Sequence, residues 1–311
     1  MTSKIERRRF LQVSGLSTGF AAMGAALSPA TLSAAVASAS EQSALKLGMV
    51  TYNMGKDMSV DELIALCQAT GLEGVELRTT HAHGVEVSLS SAQRLEVRKK
   101  FEDAGIVIAG LGSAFEYHAK DADEVEKNVR DSIAYAKLAA DVGSPGIKVR
   151  PNGIPKGEDP EITLERIGKA WGRVAAAAAD VGVEVRMEVH GPEQTRDLAN
   201  IEKMLGYANH ANARVCWNSN SSDMDNTGSI RANFERVKDA ISEVHITDIG
   251  VYQYPWQELF TLLQEIGYTG FCLAEISENP EPVRFMRYYK TLFDLYTGAY
   301  RYPNEEAYKL G

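Results

Sequence analysis

Four segments in the second half of the chain each end in a side chain able to bind a cation. Arg186-Met187-Glu188-Val189-His190-Gly191 offers Glu188, and Val215-Cys216-Trp217-Asn218-Ser219-Asn220 offers Asn218. Val244-His245-Ile246-Thr247-Asp248 offers His245, and Leu273-Ala274-Glu275-Ile276-Ser277 offers Glu275. Two carboxylates, one imidazole and one amide oxygen form a nitrogen and oxygen set suited to a single divalent ion: Mn2+, Mg2+, Co2+ or Zn2+. Thiolates are not needed, since Cys216 precedes Asn218 by two positions and Cys272 precedes Glu275 by three. Taken singly, each residue has a plainer reading: Glu188 and Glu275 paired with Arg186 or Lys148, and His245 a hydrogen-bonded core histidine. Taken together, at the ends of successive apolar runs, they read as one site.

The elements that must position these residues recur along the chain. Glycines precede several short apolar runs, as in Gly71-Leu72-Glu73-Gly74-Val75-Glu76-Leu77, Gly105-Ile106-Val107-Ile108 and Gly182-Val183-Glu184-Val185. Glycine closes a helix in the left-handed conformation, and β-branched residues then favour a strand. The pattern predicts strands near 46–52, 74–79, 106–112, 146–150, 183–189, 213–218, 242–247 and 271–276, with helices such as Val60–Ala69, Ser91–Ala104, Ala122–Val142, Ile162–Val181, Tyr254–Ile266 and Pro282–Thr297. Eight units of roughly 32 residues are the size expected of a (β/α)8 TIM barrel over 45–298. An open doubly wound sheet would alternate too, but no Gly-x-Gly-x-x-Gly loop follows the first strand. In a barrel the functional groups lie at the C-terminal strand ends, where all four candidate ligands fall.

Other polar groups are expected around the same mouth. Strand alternation puts Lys148 and Arg150 on one face, and Arg186, Glu188 and His190 on one face. Lys148 is a candidate to orient a substrate oxygen, or else forms an internal pair with Glu184 or Glu76. His190 would bond a substrate hydroxyl or support Glu188. His81 and His83, and Glu116 and His118, fall in loops that reach the mouth, unless they are ordinary solvated residues. Trp217 and Trp256 would stack on a sugar face or pack internally. Neither a serine nucleophile elbow nor a Walker loop is present.

The order of these motifs, from Lys46 to about Tyr296, resembles the xylose isomerase-like TIM-barrel superfamily. That group includes sugar and sugar-phosphate isomerases, ketose 3-epimerases, inosose dehydratase-like lyases and endonuclease IV. The resemblance implies Glu188 as the first ligand glutamate, His245 as the ligand histidine followed by the acidic Asp248, and Glu275 as the closing glutamate. It also implies that the two glutamates act as an acid/base pair on opposite faces of the substrate. Asn218 departs from it, standing where the family usually has aspartate. The expected site therefore has two carboxylates rather than three, unless Asp223 or Asp225 folds back from the following loop.

The function these readings imply is a divalent-metal-dependent isomerase or epimerase of a small sugar-like molecule, working through an enediolate formed by carboxylate proton abstraction. Reprotonation at the neighbouring carbon isomerises, reprotonation on the opposite face epimerises, and loss of a β-substituent eliminates. The residues do not choose among them. A lyase or hydratase acting on a 3-keto sugar or glycoside is the first alternative, and a non-catalytic sugar-binding barrel, favoured by Asn218, is the second. The endonuclease branch needs a histidine-rich multi-zinc cluster, whereas this chain has six histidines in all.

Residues 1–39 differ from the rest. Arg7-Arg8-Arg9-Phe10-Leu11 precedes a weakly apolar run, Val13 to Leu27, and then small residues suited to signal peptidase. This resembles a twin-arginine export signal and implies a periplasmic protein, with an unphosphorylated substrate and no stable membrane insertion after cleavage. Removing it takes basic residues from 33 to 29 and acidic ones from 42 to 41, so the net charge moves from −9 to −12. A field of that sign repels phosphate backbones and argues against a nucleic-acid partner. Cys67, Cys216 and Cys272 sit in apolar runs and are expected to be buried thiols. Residues 299–311 read as a C-terminal tail. Assembly into a homo-oligomer is left open.

Overall fold

Eight strands and nine α-helices follow one another along the described residues, 45–250 and 253–301, of a computed structural model. The export segment expected over residues 1–39 and residues 302–311 of the tail lie outside the described residues. The strands are β1 (Lys46–Val50), β2 (Gly74–Arg78), β3 (Val107–Glu116), β4 (Gly146–Arg150), β5 (Glu184–Glu188), β6 (Ala213–Asn218), β7 (Ile241–Ile246) and β8 (Phe271–Ala274). The helices are α1 (Val60–Thr70), α2 (Ser91–Ala104), α3 (Ala122–Val142), α4 (Pro160–Ala179), α5 (Glu193–Arg196), α6 (Leu198–Ala208), α7 (Arg231–Val237), α8 (Trp256–Glu265) and α9 (Pro282–Thr297). All pairings are parallel, and β1 bonds both β2 and β8, so the sheet closes into the expected TIM barrel.

Local chemistry accounts for the boundaries. Ser59 and Ser90 form capping boxes with Glu62 and Gln93 at the starts of α1 and α2, while Asp121, Asp159 and Asp197 cap α3, α4 and α6. Gly71 and Gly105 end α1 and α2 at φ of 72° and 70°, the left-handed geometry that side chains resist. Two helices, α6 and α7, fill units for which the sequence pattern singled out none. β3 continues to Glu116 across a register irregularity, well past the expected end at residue 112. That extension carries Glu116 to the mouth. No helix among the described residues is long and apolar enough to cross a membrane.

Strand alternation sorts the side chains into two environments. Val75, Leu77, Val185, Met187, Val215, Trp217, Val244 and Ile246 belong to the apolar core between sheet and helices. The opposite parity holds Glu76, Lys148, Arg186, Glu188, Glu243 and His245, every one of them buried. Glycines make room for these large polar groups. A Cβ at Gly110 would come within 2.6 Å of Glu243 Oε1, one at Gly146 within 2.5 Å of Arg186 Nε, and one at Gly112 would collide with Glu76 Oε1. The barrel interior is thus filled by charge, which must be paired or put to use.

Candidate metal centre

Three of the four proposed ligands converge. Glu188 closes β5, His245 lies on β7, and Glu275 follows β8 directly. His245 Nδ1 stands 3.5 Å from Glu188 Oε1 and 3.5 Å from Glu275 Oε2. One donor atom from each of the three residues falls within 4.8 Å of the others, a grouping able to hold one ion. Asn218, at the end of β6, joins them by donating from Nδ2 to Glu188 Oε1 at 3.2 Å. Turning its amide over would present the oxygen to the same space, since the two ends are nearly identical in shape.

The decisive group is Glu76, on β2, which the sequence offered only as a partner for Lys148. Its Oε2 accepts a hydrogen bond from His245 Nε2 at 2.8 Å. A carboxylate that fixes Nε2–H leaves Nδ1 as the ring's lone-pair atom, the arrangement by which metal-ligating histidines are oriented. Nδ1 is buried and has no hydrogen-bond partner. Burial disfavours a charged imidazole here, but Cys216, Glu76 and Glu188 beside the ring outweigh it and hold its pKa well above the ordinary histidine value. A bound metal would take up the Nδ1 lone pair, and its binding would compete with protons for that atom.

Lys148 on β4 completes the cluster. It is 3% exposed, donates to Glu188 Oε2 at 2.7 Å and lies 4.0 Å from Glu76 Oε1. Burial alone would drive its proton off; Glu188 and Glu76 more than reverse this and raise its pKa. Burial likewise opposes ionisation of Glu188, yet Lys148 and His245 pull its pKa well below the usual carboxylate value. The expected pairing of Lys148 with Glu184 is not found. Glu184 lies at the other end of the barrel with Arg186 and Arg214.

A polar rim surrounds the opening. Glu116 Oε1 accepts from Arg150 Nη2 at 2.8 Å and from the side-chain amide of Asn152. His118 Nδ1 lies 3.6 Å from the other oxygen of Glu116. Asn152 Oδ1 in turn bonds His190 Nδ1 at 2.7 Å. Because the Asn152 amide donates to Glu116, its oxygen must accept from His190, which leaves His190 Nε2 as the lone-pair nitrogen. Burial lowers the pKa of His190 and keeps the ring neutral, with Glu188 opposing the shift.

Several expected contributors sit elsewhere. Trp217 is fully buried, packs edge-on to Phe234 and donates from Nε1 to Tyr254 Oη at 3.1 Å, because its strand parity faces the helices; it offers no face to a sugar. His83 has both ring nitrogens engaged, with Arg78 O at 2.8 Å and Val85 N at 3.0 Å, and pins its own loop. Asp248 accepts from Gly250 N at 3.0 Å, a local turn contact. Asp223 does not fold back to replace the missing carboxylate; it is held by Tyr254 Oη and Asn220 N. Asp225 organises its own turn with Thr227 and Ser229.

Cys216, Glu243 and His245 form a second grouping of compatible size below the first. Its chemistry is poorer. Burial pushes the Cys216 thiol up to about 12, so it stays protonated, and Glu243 Oε1 is already bonded to Arg186 at 2.7 Å. All three residues are buried, whereas Glu275 in the upper group is 21% exposed and open to an arriving molecule. The donor set, the oriented imidazole and the unpartnered Nδ1 fit a divalent ion in the upper position.

Residues 64–289 match the family described as "Xylose isomerase-like TIM barrel", so the chain belongs to that family. Among solved structures of the same fold is the 3-keto-D-glucoside 4-epimerase YcjR from E. coli in its apo form, 14% identical, with a TM-score of 0.68 over 81% of this chain and 100% of that one. A D-psicose 3-epimerase crystallised in the presence of D-fructose is 15% identical, with a TM-score of 0.66 over 82% and 100%. The IOLI protein with a bound zinc atom is 15% identical, with a TM-score of 0.67 over 83% and 100%. No curated protein sequence matches the chain.

Proposed function

We propose that the chain is a divalent-metal-dependent isomerase or epimerase of a sugar or sugar derivative, working through an enediolate formed by carboxylate proton abstraction. The observation that carries this reading is the His245 ring. Glu76 orients it, two catalytic-type carboxylates flank it at equal distance, and Nδ1 lacks a partner. The family match and the epimerases among the structural neighbours support the same class. Glu188, His245 and Glu275 would hold the ion, with Asn218 as an amide-oxygen ligand. When bound, the ion supplies positive charge opposite the substrate's carbonyl and adjacent hydroxyl oxygens.

The remaining work falls to the chain's own groups. Glu275, partly open and with no lysine or arginine paired to it among the described residues, removes the proton beside the carbonyl. His190 Nε2, a neutral acceptor held by Asn152, orients a substrate hydroxyl. Arg150 and Glu116 place further polar contacts at the rim. One observation favours a second reading. Glu188 is tied to Lys148, so the two carboxylates are unequal, and a reaction needing one free base suits the site better than one needing two. A lyase or hydratase acting on a 3-keto sugar or glycoside is such a reaction.

The test is elemental analysis of protein purified without chelator, followed by solvent deuterium exchange into a panel of 2-keto and 3-keto sugars. Stoichiometric Mn or Zn with exchange at one carbon is the expected result; released aglycone would select the lyase. Protein that binds sugars without exchange, with Glu188→Gln and Glu275→Gln binding equally well, would make it a binding barrel instead. We also propose twin-arginine export from residues 1–39, which N-terminal sequencing of periplasmic protein tests; an intact leader on cytoplasmic protein would overturn it.

A further inference from the structure

Lys148 is the one feature of the centre that a simple ligand set does not call for. An ammonium buried to 3% exposure is costly, and here it is placed against a ligand carboxylate rather than at a distance from it. Glu188 Oε2 is taken up by Lys148 at 2.7 Å, while Oε1 faces His245 Nδ1 and Asn218. A cation arriving beside His245 therefore meets one free oxygen of Glu188 rather than two. Glu76, Glu188 and Glu275 bring three negative charges to the cluster and Lys148 brings one positive. With His245 neutral the total is two negative charges, equal to the charge of a divalent ion. Asn218 acts in the same direction, since an aspartate there would add a third. Metal affinity at oxygen-rich sites follows ligand charge and the freedom of the carboxylates.

We propose that Lys148 is a resident cation of the metal centre: it anchors Glu188 through one oxygen and restrains the site's affinity, so that the metal is held at charge balance rather than at maximal strength. The inference rests on the metal-dependent reading above. In this role Lys148 is a positioning residue, acting through Glu188.

The experiment is a Mn2+ titration of the full-length protein, reading free Mn2+ by electron paramagnetic resonance, with near-ultraviolet circular dichroism reporting the fold. Lys148→Met and Lys148→Gln should bind Mn2+ about tenfold or more tightly than the wild type, because both remove the positive charge that engages Glu188 Oε2. Lys148→Arg, which keeps the charge, should return affinity to within about threefold of wild type. Glutamine can still hydrogen-bond Glu188 and guards against loss of fold in the methionine variant. Neutral variants that bind Mn2+ equally or less tightly would overturn the proposal; if Asn218→Asp tightens binding in the same series, the metal centre survives that outcome. Absence of Mn2+ binding in wild type and every variant would remove the metal reading itself, and this inference with it.

Discussion

Two layers of charge fill the barrel, and they differ in what is left over. In the lower layer the Arg186 guanidinium bonds Glu243 at 2.7 Å, Glu184 at 3.1 Å and the carbonyl of Ala109 at 2.8 Å. Arg186 and Glu243 are buried, Glu184 is 33% exposed at the opposite end of the barrel, and burial pushes Glu243 up to about 7 despite the nearby Arg186. In the upper layer Lys148 and Glu76 hold Glu188 and His245 in place, yet the arrangement ends in an unpartnered Nδ1 and a carboxylate, Glu275, that reaches solvent. Glutamates beside basic groups make up both layers. In the lower layer one buried cation is bonded to three oxygen acceptors, whereas in the upper layer three ligand-type groups gather within reach of a single ion.

The largest effect expected from this contrast is on stability. Arg186→Met strands the buried Glu243 carboxylate in the lower layer and should lower unfolding stability by about 3–5 kcal/mol in urea denaturation, with Mn2+ affinity per folded molecule unchanged. A large loss of affinity would show the layers to be one unit. Glu275→Gln should do the reverse: solvent exchange into the substrate falls by about 10²–10⁴-fold, while stability moves by less than about 1 kcal/mol. Glu76→Gln weakens the orientation of His245 and should reduce Mn2+ affinity by about 10–100-fold in the same titration. Unchanged affinity would remove Glu76 from the centre.

The smallest effect comes from outside both layers. Burial raises the Asp223 pKa to about 7, against the opposing bonds from Tyr254 and Asn220. The folded state then holds a proton that the unfolded chain has released, so wild-type stability declines as pH rises from about 4 to about 7 through this group. Asp223→Asn should abolish that decline and be about 1–2 kcal/mol more stable than wild type at pH 8. Parallel stability curves for the two proteins would contradict the assignment.

Much of this architecture was legible in the sequence. Helix-ending glycines and the β-branched runs that follow them are local signals, and they marked the units that close into the barrel. That Glu188, Asn218, His245 and Glu275 come together was readable because a residue's place at or near a strand end follows from sequence position alone. Glu76 was harder: its bond to His245 spans 169 positions and exists only once β2 and β7 face each other across the closed interior. Its signal was an acid within Val75-Glu76-Leu77, an apolar run where a charge demands a partner. Lys148 was seen, and Glu188 was among the partners the sequence offered it, but Glu184 and Glu76 were equally compatible with its strand. Trp217 and His83 went astray for opposite reasons. Strand parity turned the first toward the helices, and loop folding closed the second on its own backbone.

The account stands on where His245 directs its free nitrogen. X-ray absorption of the zinc-loaded protein tests this directly, because it reports the elements bound to the ion. The prediction is one imidazole nitrogen with oxygen neighbours at about 2.0–2.2 Å and no sulfur. A sulfur neighbour near about 2.3 Å would place the ion with Cys216 and Glu243 in the lower layer and contradict the assignment.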